Sequence, residues 1–229
     1  MKLCVALDLQ SAKENIAVAE RLSGLDLWFK VGLRSFIRDG WTFVGEVKKL
    51  SGAPIFLDLK LCDIPNTTAD AALEIALRGA DMFNIHASAG IKALETTMNR
   101  LSALKTRPIA LAVTALTSFS ADEFAAIYDK PIEKAAIDMA RSAYEAGLDG
   151  AVCSVYESGA IKTACAARFL TLCPGVRLAG DDAGDQSRVA SPQTALSEGV
   201  DFIVMGRPII GAKDPLEAAK NVLALITRR

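Results

Sequence analysis

PIFLDLKLCDIPNTTADAALEIALRGADMFNIH, residues 54–86, holds one full structural period of this chain. It opens with an apolar run rich in Ile, Phe and Leu, which reads as a strand near 54–59. A segment with helical spacing follows and stops at Gly79-Ala-Asp81, where glycine can take the left-handed conformation that ends a helix. A second apolar run begins at once, near 82–86. Strand, helix and strand within about thirty residues make a βαβ unit, and such a unit calls for parallel strands. Outward from this unit the alternation continues to both ends. Further strand candidates lie near 3–8, 26–31, 108–114, 149–153, 169–173 and 201–205, and the Gly-x-Asp phrase recurs at Gly24-Leu-Asp26, Gly147-Leu-Asp149 and Gly199-Val-Asp201. Most of these runs are apolar on both faces, as buried parallel strands are. Eight βα units in 229 residues predict an α/β fold, a single (β/α)8 TIM barrel over residues 1–229. An open doubly wound sheet is the weaker alternative.

Composition narrows the functional classes. The chain is 51% hydrophobic and 23% charged, with a formal net charge of -1, which argues against general affinity for nucleic acid or anionic membrane and favours a small acidic ligand. Five cysteines, an odd number without C-x-x-C spacing, fit reduced thiols in a cytoplasmic protein. The N-terminus enters an apolar strand without a signal-peptide pattern, and no apolar run reaches about 18 residues, so no membrane association is expected.

In a parallel barrel the chemistry gathers at the C-terminal ends of the strands. Those positions are polar here: Asp8, Lys30, Asp58, Lys60, Asn84, His86, Thr114, Arg177 and Gly206-Arg207. The N-terminal ends carry mostly the Asp and Pro of turns, so the two faces of the barrel differ. Asp58 and Lys60 share one face of their strand by the two-residue period, and Asp63 falls beyond it, forming Asp-x-Lys-x-x-Asp. Such an array suits proton-transfer chemistry, and taken alone it suits a structural salt-bridge network equally well. Its place at strand ends favours a site. Loops after strands seven and eight are the usual phosphate cradle of this fold. Pro174-Gly-Val-Arg177 opens a Gly- and Asp-rich loop running to Arg188, read as a lid, and Met205-Gly-Arg207 brings an arginine suited to bidentate phosphate contact. His86 is the only histidine, which excludes His-rich zinc sites and leaves Lys, Asp or Glu as acid and base. Cys62, without a suitably placed histidine to activate it, takes no catalytic role.

Five segments together resemble a known family: Asp58-Leu-Lys-Leu-Cys-Asp-Ile-Pro-Asn-Thr67, Phe29-Lys-Val-Gly32, Val113-Thr-Ala-Leu-Thr-Ser118, Pro174-Gly-Val-Arg177 and Val204-Met-Gly-Arg207 are similar to those of orotidine 5'-phosphate decarboxylases of the bacterial type. The resemblance extends from Ala6-Leu-Asp8 to Arg207. One departure is Cys62, where the family usually has histidine. The resemblance implies decarboxylation of orotidine 5'-monophosphate to UMP and carbon dioxide with no metal or organic cofactor. It further implies a catalytic set of Lys30, Asp58, Lys60 and Asp63, with Lys60 as proton donor to C6 and Asp63 holding that lysine charged and oriented. Substrate contacts implied in the same way are Asp8 and Lys30 on the ribose hydroxyls, Thr117 by the pyrimidine, Gln186 between base and phosphate, and Arg177, Gly206 and Arg207 on the phosphate. Ile64 and Thr67 join this set, and in the family Asp63 and Thr67 reach into the neighbouring subunit's site, which implies a homodimer. The nearest competitors are barrel enzymes of keto sugar phosphates that stabilise an enediolate with Mg²⁺. They carry a carboxylate where this chain has Lys30, and a cation there disfavours the metal.

Overall fold

A computed structural model describes residues 1–178 and 188–227. Eight parallel strands close into a barrel in the order of the chain: β1 Lys2–Ala6, β2 Leu27–Gly32, β3 Ile55–Leu61, β4 Met82–His86, β5 Ile109–Val113, β6 Gly150–Val152, β7 Leu170–Cys173 and β8 Phe202–Met205. The TIM barrel expected from the alternation is the observed fold, and the doubly wound alternative is excluded by pairing of β1 with β8, Lys2 opposite Phe202. Outside the barrel run α1 Ala12–Arg21, α2 Leu33–Ser51, α3 Pro65–Leu77, α4 Ile91–Leu101, α5 Ala121–Tyr128, α6 Ile132–Glu145, α7 Ser158–Ala164, α8 Pro192–Ser197, α9 Arg207–Ile210 and α10 Pro215–Thr227. Non-helical backbone at Gly40 breaks α2. Among the described residues no helix is long and apolar enough to cross a membrane.

Alternation along the strands divides the apolar residues between two cores. Cys4, Phe56, Met82, Leu111, Val152, Leu172 and Val204 fill the barrel interior. Leu3, Val5, Phe29, Ile55, Phe83, Ile85 and Ile203 face outward into the larger core beneath the helices. Trp28 and Phe202 meet edge to face at 5.4 Å within the inner core. The interior is thus packed with side chains, and polar groups enter it only at the upper strand ends.

The Gly-x-Asp phrases form the floor. Gly24, Gly79, Gly147 and Gly199 have φ of 81°, 79°, 87° and 66°, which glycine adopts without the cost a Cβ would bring. Each phrase delivers an aspartate to the start of an even-numbered strand. Asp26 pairs with Lys2 at 2.7 Å, Asp81 with Lys48 at 2.7 Å, Asp149 with Arg107 at 2.8 Å and Asp201 with Lys162 at 2.7 Å. Three of these carboxylates also accept a backbone N–H from the first or second residue of the preceding strand: Ile55 to Asp81 at 2.7 Å, Ala110 to Asp149 at 2.8 Å and Thr171 to Asp201 at 2.8 Å. The N-terminal face is therefore an ionic and hydrogen-bonded seal, and the other face is left for binding.

Candidate active site

Lys30, near the end of β2, and Asp58, in β3, are 8% exposed each, so two opposite charges lie almost wholly out of water. Neither is isolated. Lys30 Nζ lies 3.4 Å from one Asp58 oxygen and 3.5 Å from Asp8, while the other Asp58 oxygen accepts from Lys60 Nζ at 2.7 Å. Asn84 on β4 donates its Nδ2 to that same oxygen at 2.7 Å. Burial pushes the Asp58 carboxyl up, but Lys30, Lys60 and the hydrogen bonds from Lys60 and Asn84 outweigh it and hold the group below its ordinary range. Burial likewise works against the Lys30 ammonium, and Asp58 and Asp8 overcome it, leaving lysine's ordinary pKa exceeded. Asp58 and Lys30 thus hold each other in their charged forms.

The route by which Lys60 reaches Asp58 differs from the simple two-residue alternation expected from the sequence. Register slips between Leu57, opposite Phe83, and Leu61, opposite Ile85, so β3 carries a bulge across the array. Lys60 sits in that bulge with φ of 53°, a left-handed conformation that costs a non-glycine residue about 1–2 kcal/mol. Its backbone N–H is fixed by Asn84 Oδ1 at 2.7 Å. Asn84 thus binds Lys60 through its carbonyl and Asp58 through its amide, and orients both. It stood among the strand-end polar residues of the sequence, but nothing in its spacing distinguished it from a wall residue.

Glycine at position 32 makes room for Lys30. A Cβ there would lie 2.8 Å from Lys30 Nζ and 3.3 Å from Asp8 Oδ1. His86, half-buried on β4, has its pKa lowered by burial first and then by the Lys60 charge, which leaves its imidazole neutral near pH 7.

Lys30, Asp58 and Lys60 form one wall of a cavity of about 700 Å³. Asp8, Thr117, Arg177, Gly206 and Arg207 line the same cavity, so most of the expected substrate-binding set converges on one space. The lysine and aspartate array belongs to β2 and β3, while Arg177, Gly206 and Arg207 follow β7 and β8 across the barrel. Between them the lining is apolar, with Phe56, Val113, Val152 and Leu172. An elongated ligand with an anionic end and a reactive end suits this division. Arg34, in the first turn of α2, also lines the cavity and escaped the sequence reading. Its guanidinium grips the backbone carbonyls of Asp8 and Leu9, the latter at 3.2 Å, and steadies the loop that presents Asp8. An arginine four residues after Lys30 on a helix start was the available signal.

Three expected residues lie elsewhere in the chain. Asp63, Ile64 and Thr67 are exposed and do not line the cavity, and Ile64 is 68% exposed. The Asp63 carboxylate accepts from Ile64 N at 2.7 Å instead of meeting Lys60. Cys62 beside it is an exposed free thiol. Gln186 lies outside the described residues. Among the described residues no three His, Cys, Asp or Glu side chains gather as a metal site.

The sequence model of the Orotidine 5'-phosphate decarboxylase / HUMPS family matches residues 1–222. The chain is 57% identical over 228 residues to the orotidine 5'-phosphate decarboxylase of Sulfurovum sp. (strain NBC37-1), covering 99% of each. It is 53% identical over 226 residues to that of Campylobacter concisus (strain 13826), covering 99% of this chain and all of the relative. The crystal structure of orotidine 5'-phosphate decarboxylase from Lactobacillus acidophilus superposes with a TM-score of 0.85 at 30% identity, over 99% of each chain. With a closed eight-stranded barrel, a Lys-Asp-Lys array around the buried Asp58 and full-length similarity to these enzymes, the chain belongs to the orotidine 5'-phosphate decarboxylase / HUMPS family.

Proposed function

We propose that the protein decarboxylates orotidine 5'-monophosphate to UMP and carbon dioxide in pyrimidine biosynthesis, and does so without metal or organic cofactor. The observation that carries this reading is Lys30, whose ammonium lies between the carboxylates of Asp8 and Asp58. A divalent cation serving an enediolate would need carboxylates free to ligate it, and here their shared point already holds a fixed positive charge. This favours the pyrimidine nucleotide over the keto sugar phosphates that other members of the family would take.

In the proposed reaction the C6–carboxylate bond breaks, carbon dioxide leaves, and the electron pair left on C6 takes a proton from Lys60 Nζ. The lysine then recovers a proton from solvent. No neighbouring carbonyl accepts the charge at C6, so stabilisation has to be electrostatic, and the Lys60 ammonium supplies it beside the reacting atom. Asp58 keeps Lys60 aimed through the 2.7 Å contact and faces the departing carboxylate. Two like charges about 4 Å apart repel by roughly 4 kcal/mol at an effective dielectric near 20, a minor share of the barrier lowering of up to about 23 kcal/mol that slow reactions demand. Binding of the phosphate by Arg177, Gly206 and Arg207 supplies remote binding energy that the reacting end can use. Asp8 and Lys30 take the ribose hydroxyls, Thr117 the pyrimidine, and Gln186 bridges base and phosphate. Asp63 and Thr67 complete the neighbouring subunit's site in a homodimer, with Ile64 beside them in the substrate-binding set, a reading supported by the exposure of all three and by the Asp63 carboxylate accepting from Ile64 N rather than from Lys60.

The test is EDTA-treated protein with orotidine 5'-monophosphate, followed by loss of the substrate's ultraviolet absorbance, with Lys60→Ala as control. Metal-independent formation of UMP that Lys60→Ala abolishes is expected. A folded protein that is inert here and active on a keto sugar phosphate with Mg²⁺ would overturn the assignment. Composite sites are tested by mixing inactive Lys60→Ala and Asp63→Ala subunits: exchange should restore part of the activity, and no recovery after demonstrated exchange sinks the shared site.

A further inference from the structure

One buried ion pair outside the cavity holds together the loops after β5, β6 and β7, of which the first and last line the cavity. Glu157 ends a 3-10 turn, Val155–Glu157, after β6, and only 2% of it is exposed. One of its oxygens accepts from Ser154 N at 2.9 Å, and the other is paired with Arg188 Nη1. Arg188 Nη2 donates to the carbonyls of Ala115 and Leu116 at 3.4 Å each, immediately before Thr117 in the loop after β5. Two residues beyond Arg188 the chain joins the loop after β7: Arg177 N donates to Ala190 O at 3.0 Å and Ala190 N to Gly175 O at 3.1 Å. Tyr156 adds a hydrogen bond from its hydroxyl to Val189 O at 3.0 Å. The segment Arg188–Ala190 is therefore tied to the loops after β5, β6 and β7 at once. Burial raises the Glu157 carboxyl above its ordinary range, and Arg188 opposes that shift. A buried ion pair gives little net stability over apolar packing, so its directional contacts point to a role in geometry.

We propose that Arg188 and Glu157 are positioning residues for the anion-binding end of the cavity, locking the loops after β5, β6 and β7 into one frame so that Thr117 and Arg177 meet the nucleotide in register. The proposal rests on the orotidine 5'-monophosphate reading for the identity of the ligand, but not for the frame itself. Neither residue lines the cavity, so each acts through Thr117 and Arg177.

Full-length Arg188→Met, Arg188→Lys and Glu157→Gln proteins test it with two readouts. Amide hydrogen exchange in the ligand-free protein should rise by about tenfold or more at Ala115–Thr117 and Gly175–Arg177 in Arg188→Met, with α1 to α4 unchanged. In the same variant kcat/KM for orotidine 5'-monophosphate should fall by about tenfold or more per folded enzyme, because a misplaced phosphate grip withdraws remote binding energy from the reacting end. Arg188→Lys should recover part of both effects. Should Arg188→Met fail to fold, Glu157→Gln, which keeps the side-chain volume, serves for the same measurements. Unchanged exchange at both loops overturns the frame, and an unchanged kcat/KM per folded enzyme, with loss only of folded protein, overturns the positioning role. If the wild type does not turn over orotidine 5'-monophosphate, the functional reading falls and exchange alone decides the frame.

Discussion

Gly32→Ala should separate the chemistry of the site from the stability of the barrel. Gly32 has φ of -86° and ψ of 172°, values any residue adopts, so alanine brings no backbone strain. The added methyl would meet Lys30 Nζ at 2.8 Å and Asp8 Oδ1 at 3.3 Å. Restoring an ordinary contact requires the ammonium to withdraw by roughly 0.8 Å. Lengthening the Lys30–Asp58 separation from 3.4 Å by that amount weakens their attraction by about 1 kcal/mol at an effective dielectric near 20. Misplacing a site group by an ångström can cost about a hundredfold in rate, so kcat/KM should fall by about 10- to 100-fold. The displaced atom ends a flexible side chain, so Tm should move by no more than about 3 °C. Gly45→Ala is the control, since a Cβ there meets nothing within 4 Å. Steady-state decarboxylation by absorbance, beside a thermal melt, reads both quantities. A Gly32→Ala enzyme within about threefold of wild type, on the rate scale of that estimate, would refute the claim that Lys30 must occupy this point.

Asp58→Asn should lower turnover by at least about a hundredfold through loss of the charge that orients Lys60. Tighter substrate binding in the same variant would support repulsion of the substrate carboxylate by Asp58, and unchanged affinity would count against it. On the opposite face, Asp149→Ala removes the Arg107 pair and the acceptor for Ala110 N, and should cost about 1–2 kcal/mol, a Tm loss of about 2–8 °C. Its kcat per folded enzyme should stay at the wild-type value, and a tenfold loss would contradict the division between floor and site. Lys30 and Asp58 should not titrate near neutrality. The lowered Asp58 pKa means that its contribution to stability is complete above pH 3.8 and is lost as pH falls through the folded-state value. For Lys30 the folded-state pKa is raised, so its contribution is complete below pH 10.5 and is lost as pH rises past the folded-state value. Once the substrate phosphate is fully ionised, kcat/KM should be flat from about pH 7 to 9, and an inflection there that Asp58→Asn or Lys30→Ala removes would show that one of these groups titrates.

The fold was legible because buried parallel strands need apolar residues on both faces, which makes each one a short run that helical spacing cannot imitate. The Gly-x-Asp phrases marked the joins for an equally local reason: each glycine takes positive φ at the end of a helix, and each aspartate seals a strand start. Lys30, Asp58 and Lys60 were legible as strand-end charges, but the reason for their meeting was not. The bulge between Leu57 and Leu61 depends on Asn84 in a neighbouring strand, a long-range bond that periodicity cannot report. Arg34 was missed because it sits on a helix start, where an arginine is ordinarily a solvated residue. Asp63, Ile64 and Thr67 entered through the family resemblance alone. Their exposure is why spacing could not assign them a partner within the chain.

The floor has a periodicity that the site lacks. Asp26 and Asp149 take their cations from residues in or just before an odd-numbered strand, Lys2 and Arg107, whereas Asp81 and Asp201 take theirs from helices two strands back, Lys48 in α2 and Lys162 in α7. The arrangement in β1 to β4 therefore recurs in β5 to β8, so each half-barrel carries its own complete set of sealing pairs. Functional groups obey no such repeat: Lys30, Asp58 and Lys60 come from the first half, while Thr117, Arg177 and Arg207 come from the second. Either half can close its own base, but neither holds both the Lys-Asp-Lys array and the end of the cavity lined by Arg177 and Arg207. The polar lining of the cavity is consequently a property of the junction between two similarly built halves, and substitutions can redesign the upper rim without touching the scheme that keeps the halves intact.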